Sequence, residues 1–381
     1  MKKEYFIMSI LCVIFISLNL RAPMSVIGPI VDNLMFEFKL NSTQIGILSS
    51  LPLFCFFIFS LIAPILPSTK TMFFGLILII LGLFTRSFFN SFFLFFGSIL
   101  IGIGIAVLNV LMPSFIKNNF KNISKIMAIY SAILALSSLI GLFGHYLIDY
   151  INLSGTLFCW VIFSVIALIC YIPFIKNKRF FRKQNKKDLR DFLKIFKNKK
   201  AWVITIFMGL QSCIFYTTIT WYPSVLATSM KENTATNIVI LFQALALITA
   251  YLVPYYMYKL KHQNIFLAII CACNIVGFFI CLMYENFYLL IISAILFSIP
   301  IGGIFGIVLT MIATKSKDTK TTIYLSSMAQ SIGYLIATFG PIIFGFFKDI
   351  SNNFNFSIIF MIFISFLMLI FSIFSNKIKY I

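Results

Sequence analysis

The sequence predicts an all-α membrane protein of twelve transmembrane helices arranged as two six-helix halves. Three observations predict it. Hydrophobic residues fill 61% of the 381 positions and charged residues 10%, against about 25% charged in a soluble domain. Apolar runs of bilayer length, about 20 residues each, recur at 5–33, 42–66, 71–89, 91–116, 124–148, 154–175, 201–228, 234–258, 263–283, 287–313, 320–347 and 354–375. Lysine and arginine then collect in alternate gaps. On the side of the N-terminus lie 25 of them, and on the other side three, Lys39, Lys231 and Lys348. Positive charge marks the cytoplasmic side, so both termini are expected there. The same segregation accounts for a net charge of +20 without nucleic acid as a partner.

The first run opens on Lys2 and Lys3 as a signal peptide does. It is too long for one and has no small-x-small cleavage site before Arg21, so it reads as a retained helix. Its middle is polar: Ser17-Leu18-Asn19-Leu20-Arg21-Ala22-Pro23, followed by Gly28-Pro29. A charge at this depth costs roughly 2.5–3.5 kcal/mol on insertion scales, and the nearest acid beyond it in sequence is Asp32. Two readings fit: an arginine that binds an anion in a transport path, or one paired with a carboxylate of another helix. Pro23, Gly28 and Pro29 weaken the helix here, which a membrane tolerates only where neighbours or water satisfy the freed backbone groups.

Along the rest of the chain, the runs at 71–89, 263–283 and 354–375 carry few polar residues and suit lipid-facing positions. Arg86, near the outer end of the third run, has three readings: it snorkels to the headgroups, forms a second positive site, or pairs with Asp32 or Asp149. His145 reads as a packing residue. Residues 176–200 hold twelve basic and two acidic side chains. They are expected as a cytoplasmic linker between an N-terminal half, 1–175, and a C-terminal half, 201–381. A binding patch for anionic headgroups is the alternative. The part from Asp188 to Phe196 suits a short amphipathic helix.

The halves repeat. Ile103-Gly104, Val110-Leu111 and Lys117 match Ile301-Gly302, Val308-Leu309 and Lys315 at an offset of 198. Leu139-Ile140 with Phe143-Gly144 match Leu335-Ile336 with Phe339-Gly340 at 196, and Thr43-Gln44-Ile45 aligns with Thr236-Asn237-Ile238 at 193. Parallel six-helix halves with a site between them at mid-membrane are the architecture of alternating-access transporters.

The exclusions are chemical. Eight cysteines are scattered through apolar runs without a CxxC pair and read as small apolar fillers. With two histidines and no nucleophile-base or metal-ligand cluster, an enzyme is disfavoured and no cofactor is expected. Of ten carboxylates, Glu4, Asp188, Asp191 and Asp318 fall on the cytoplasmic side, and Asp32, Glu37, Asp149, Glu232, Glu285 and Asp349 at or near the outer surface. Energy coupling through a buried acid is therefore not expected.

With twelve runs, a basic central segment and paired halves, the chain resembles the major facilitator superfamily. Leu18-Asn19-Leu20-Arg21 with Gly28-Pro29 is similar to the first helix of its cyanate/nitroimidazole permease family. So is Gly104-Ile105-Ala106-Val107-Leu108-Asn109-Val110-Leu111-Met112-Pro113 with Ile116-Lys117 to the fourth. Gly209-Leu210-Gln211-Ser212 with Phe215-Tyr216 and Trp221-Tyr222-Pro223 is similar to the seventh, and Leu325-Ser326-Ser327-Met328-Ala329-Gln330-Ser331-Ile332-Gly333-Tyr334 with Gly340-Pro341 to the eleventh. One departure is the superfamily's basic, glycine-rich loop between helices two and three, reduced here to the stretch from Ala63 to Lys70.

The resemblance implies a monomeric secondary transporter in the bacterial inner membrane, moving a small-molecule substrate by alternating access. It also implies a central cavity lined mainly by helices 1, 4, 5, 7, 8, 10 and 11. On those helices the polar residues expected to bind substrate are Asn19, Arg21, Asn109, Gln211, Tyr216, Gln330 and Tyr334. Tyr130, Ser138, Gln243, Ser327 and Ser331 are further polar groups there. One cation among neutral amides and hydroxyls suits a small, cyanate-like anion, moving inward. The alternative is export of small heterocycles, with Tyr216, Trp221 and Tyr334 stacking on the ligand and Arg21 structural. A receptor or scaffold that no longer transports is a further reading.

Overall fold

The computed structural model describes residues 3–62, 68–88, 90–120, 123–175, 192–257, 260–283, 286–316 and 319–381. Among them helix is the regular structure and no strand occurs. The shortened loop at 63–67, most of the basic linker (176–191), Glu285 and Asp318 lie outside the described residues.

Over its described residues each apolar run is largely helical. The first is the broken series Lys3–Asn19, Ala22–Ser25, a 3-10 turn Gly28–Ile30, and Val31–Phe38. The second to fourth are Ser42–Ile62, Ser68–Arg86 and Ser91–Asn119. The fifth and sixth are built from Ile123–Leu142, Gly144–Phe158 and Val161–Ile175. The last six are Lys199–Ala227, Glu232–Met257, Gln263–Cys281, Phe287–Lys315, Thr319–Ser351 and Asn355–Lys377. Among the described residues nine helices are long and apolar enough to cross a membrane, and a tenth if Ala132–Leu142 and Gly144–Phe158, bent by 64°, count as one. Asparagine side chains start several spans where the sequence breaks. Asn90 accepts from Phe92 N–H, Asn198 from Lys200 N–H, and Asn286 from Tyr288 and Leu289 N–H.

One boundary differs from the runs: the first span stays helical to Phe38, beyond its expected end at 33. The fifth and sixth spans part inside the stretch Gly144–Phe158, which leaves helical geometry at Ile151 and at Asn152, in the gap between the runs ending at 148 and starting at 154; the Asn152 side chain there accepts the Gly155 N–H at 2.9 Å. Of the expected linker helix, only residues 192–195 are described as helical. Phe192 packs on Tyr324 at 5.6 Å, and Phe196 C=O accepts the Trp202 indole N–H.

The chain divides into two compact units. One is Met1–Asn33 with Leu51–Gln184; the other is Leu34–Ser50 with Asn185–Ile381. Grouping 34–50 with the second unit was not legible from the runs, and side chains on the eleventh span explain it. Asp349 accepts the Ser42 and Thr43 backbone N–H groups at 3.2 and 2.8 Å, and the Thr43 hydroxyl also donates to it. Gly46 lies against the Pro341 carbonyl and Gly345 against that of Ser42, so closely that a Cβ at either position would collide with backbone. In the first unit the third and fourth spans cross at Gly82 and Gly97. A Cβ on Gly82 would lie 2.7 Å from the Gly97 carbonyl.

Candidate functional site

The first span breaks where its sequence weakens it. Pro23 has no N–H to give Asn19, and Arg21 leaves helical geometry at φ −130°, ψ −43°. The Ser137 hydroxyl enters the opening: it accepts the Ala22 N–H at 2.8 Å and donates to the Leu18 carbonyl at 2.5 Å. In an intact helix those two backbone groups would bond each other. Ser25 and Ser138 pair by their hydroxyls at 2.9 Å, and Gly141 lets the fifth span approach, since a Cβ there would stand 2.8 Å from the Ala22 carbonyl. The neighbours from Ile16 to Pro23 are buried except Arg21, which is half-exposed.

Asn19 is buried, and its amide is used inside the first unit. Its nitrogen donates to Phe15 C=O at 2.6 Å, and its oxygen accepts the Ser164 hydroxyl. Asn109 is half-buried and accepts from the buried Tyr130 hydroxyl at 2.8 Å. In the second unit Tyr216 and Tyr334 meet edge to face with centroids 6.2 Å apart, joining the seventh and eleventh spans. Gly209 allows that approach, since a Cβ there would lie 2.7 Å from Ile336. Gln211 is buried and accepts from the Ser212 hydroxyl at 3.3 Å. Gln330 is half-buried and donates to Ser326 at 3.1 Å, while the Ser327, Ser331 and Tyr334 stripe is buried. Asn109 is thus brought to Tyr130, and Tyr216 to Tyr334.

Trp221, assigned to ligand stacking in the exporter alternative, is buried in the second unit. Its indole N–H donates to Pro341 C=O at 3.0 Å, and its ring stacks on Phe344 at 5.7 Å. A cavity of about 10 Å³ lies beside it, lined by Thr217, Thr218, Tyr222, Cys281 and Phe344 among others. That holds about one water, too little for a solute.

Sequence reasoning passed over Ser137, whose partners are main-chain atoms, left Arg86 open among three readings, and placed Gln243 only among the further polar groups of the cavity-lining helices. Gln243 Nε2 is buried without a hydrogen-bond partner among the described residues; an amide in the middle of an apolar run was its signal. Arg86 does not snorkel: it is 1% exposed. Among the described residues no group of three metal-ligating side chains forms.

The family model described as Major Facilitator Superfamily matches residues 10–341. An uncharacterized transporter of Bacillus subtilis, YycB, is 31% identical over 92% of this chain and 89% of its own length. A 2-nitroimidazole transporter of Escherichia coli is 28% identical, covering 96% and 95%. The cyanate transport protein CynX of Escherichia coli is 24% identical, covering 91% of each. Among solved structures, a D-xylose-proton symporter superposes with a TM-score of 0.78 at 12% identity, covering 98% of each chain. The nucleoside transporter NupG superposes at 0.74 and 14%, covering 98% of this chain and 99% of its own.

Proposed function

The chain belongs to the Major Facilitator Superfamily, and from that premise we propose that it carries a small, cyanate-like anion inward across the bacterial inner membrane by alternating access, with Arg21 as the substrate's cation. The carrying observation is the half-exposed Arg21 at a break inside an otherwise buried stretch. A charge kept at this depth faces a partner or a watery cavity. Asn109, Gln211, Gln330, Tyr216 and Tyr334 are the neutral groups of the proposal, a few polar contacts in an apolar wall. Asn19, its amide engaged by Phe15 and Ser164, shapes the helix that carries Arg21. Among the carboxylates whose burial is described, Asp32, Glu37, Asp149 and Glu232 are exposed and Asp349 is half-buried, which favours a coupling route other than a buried acid.

A second reading, export of a small heterocycle, is favoured by the Tyr216–Tyr334 pair and by the relative named for 2-nitroimidazole. Thermal unfolding of the purified protein separates them. A ligand of the folded state at a hundredfold its Kd stabilises by about 2.7 kcal/mol. Sodium cyanate should raise the melting temperature of the wild type and leave Arg21→Ala unchanged. A rise with 2-nitroimidazole that survives Arg21→Ala, with none for cyanate, overturns the anion reading in favour of the second.

A further inference from the structure

We propose that Arg86 is a positioning residue: its buried guanidinium holds the first span open at Pro23 and so fixes the backbone that presents Arg21. The part concerning Arg21 rests on the anion reading above.

Arg86 ends the helix Ser68–Arg86 yet is 1% exposed. Asp32 and Asp149, the partners of one of its three readings, are exposed. Its hydrogen bonds go to main-chain oxygens: Nη1 donates to Pro23 C=O at 2.7 Å and Nη2, at a longer 3.5 Å, to Leu157 C=O. The Pro23 carbonyl is available because the helix is broken. In an intact helix it would accept from Ile27 N–H, but Ile27 N–H goes to Met24 C=O at 3.3 Å. A carbonyl oxygen has two lone pairs, so a closed helix would make Ile27 N–H and the guanidinium share this acceptor, whereas the open turn leaves it to Arg86, whose Nε is already buried without a partner among the described residues. The buried guanidinium therefore favours the open turn.

The guanidinium is delivered from a fixed base. A Cβ at Gly97 would lie 2.6 Å from Arg86 N and 2.8 Å from Arg86 Cβ, so the glycine crossing of the third and fourth spans sets where the side chain starts. Its second acceptor, Leu157, lies near the end of the helix Gly144–Phe158, where carbonyls lack intrahelical donors. Ser137 props the break at the Leu18–Ala22 hydrogen bond and Arg86 at the Pro23 carbonyl, with Arg21 between them in sequence. A binding group displaced by as little as an ångström loses much of its effect.

The test uses the full chain, purified and reconstituted, with two readouts. Amide exchange over residues 17–31 reads the break without any substrate. Arg86→Met, which removes both donors, should speed it about tenfold. Arg86→Lys, which keeps the charge and reaches one carbonyl, should speed it about threefold, so the proposal stays testable if the methionine variant fails to fold. Wild-type exchange over 17–31 in either folded variant overturns the positioning role. Uptake of labelled cyanate into vesicles is the second readout. Arg86→Met should raise KM about tenfold with a smaller loss of kcat, and Arg86→Lys should recover most of it. A fall in folded protein or kcat with KM unchanged reduces Arg86 to packing and overturns its link to Arg21. Failure of the anion reading is distinguishable, because the wild type would then take up no cyanate while the exchange arm still decided the role of Arg86.

Discussion

Replacing Asp349 by alanine should loosen the start of the second span from the eleventh. Asp349 accepts two backbone N–H groups and a hydroxyl from Ser42 and Thr43, at the first turn of the helix Ser42–Ile62. Those donors have no intrahelical acceptor, so Asp349 acts as an N-cap from 306 residues away in sequence. The carboxylate gains about 0.3–1 kcal/mol from the helix dipole. Each hydrogen bond, discounted because the group is half-buried, adds about 0.5–1 kcal/mol. The total is about 2–4 kcal/mol. At roughly 2–4 °C per kcal/mol for a unit of this size, Asp349→Ala should melt about 4–16 °C lower. Intrinsic fluorescence is a suitable probe, since Lys348 Nζ stands 5.4 Å from the Trp221 ring centroid. Asp349→Asn keeps one acceptor oxygen without the charge and should fall between. A melting temperature for Asp349→Ala within about 1 °C of the wild type would refute the capping argument.

Two substitutions probe the breaks and crossings that shape the site. Ser137→Ala leaves the buried Leu18 C=O and Ala22 N–H without their bridge and should cost about 2–3 kcal/mol, against under about 1 for Ser138→Ala, both read by thermal unfolding. Gly302→Leu has no room, because any Cβ meets the Ala246 carbonyl and Thr249 Oγ1; it should cost about 3 kcal/mol or more and reduce the monodisperse yield on size-exclusion chromatography.

Much of the fold was legible because bilayer length and charge segregation are properties of the chain alone. Twelve apolar runs and the split of Lys and Arg around them needed no tertiary information. What escaped was set by distant atoms. At the bend after Leu142 Gly144 lies against Val26, and residues 34–50 join the second unit through Asp349 and the glycines Gly46 and Gly345. At the site, Pro23 and Gly28-Pro29 announced a broken helix, and the structure breaks there. Arg86 stayed open among three readings for a physical reason. A search for carboxylate partners considers side chains, whereas its acceptors are main-chain carbonyls, one of them freed by the break itself. Asn19 and Trp221 show the opposite limit: each is polar at mid-run, and each is engaged within its own unit.

The internal repeat shows where the two halves have kept a contact and where they have changed it. Gly144 and Gly340 correspond at the offset of 196. Gly144 seats the fifth span against Val26 of the first, and Gly340 seats the eleventh against Thr217 and Cys213 of the seventh. The same glycine serves the same helix pair in each unit, which is what duplication of a six-helix element leaves behind. At the same offset Ser137 corresponds to Gly333. Gly333 lies against Gly209 backbone, where a Cβ would be 3.3 Å from its nitrogen, and the seventh span there runs unbroken from Lys199 to Ala227. Ser137 instead puts a hydroxyl into the first span and stands between Leu18 C=O and Ala22 N–H. A glycine offers an intact helix close contact and nothing to bond, whereas a serine offers an opened helix both a donor and an acceptor. The divergence at this one position accompanies the divergence beside it: the half with the serine carries Arg21 and its break, and the half with the glycine carries the continuous helix with Tyr216. A hydroxyl thus meets an opened helix in one half, and a glycine meets a continuous helix in the other.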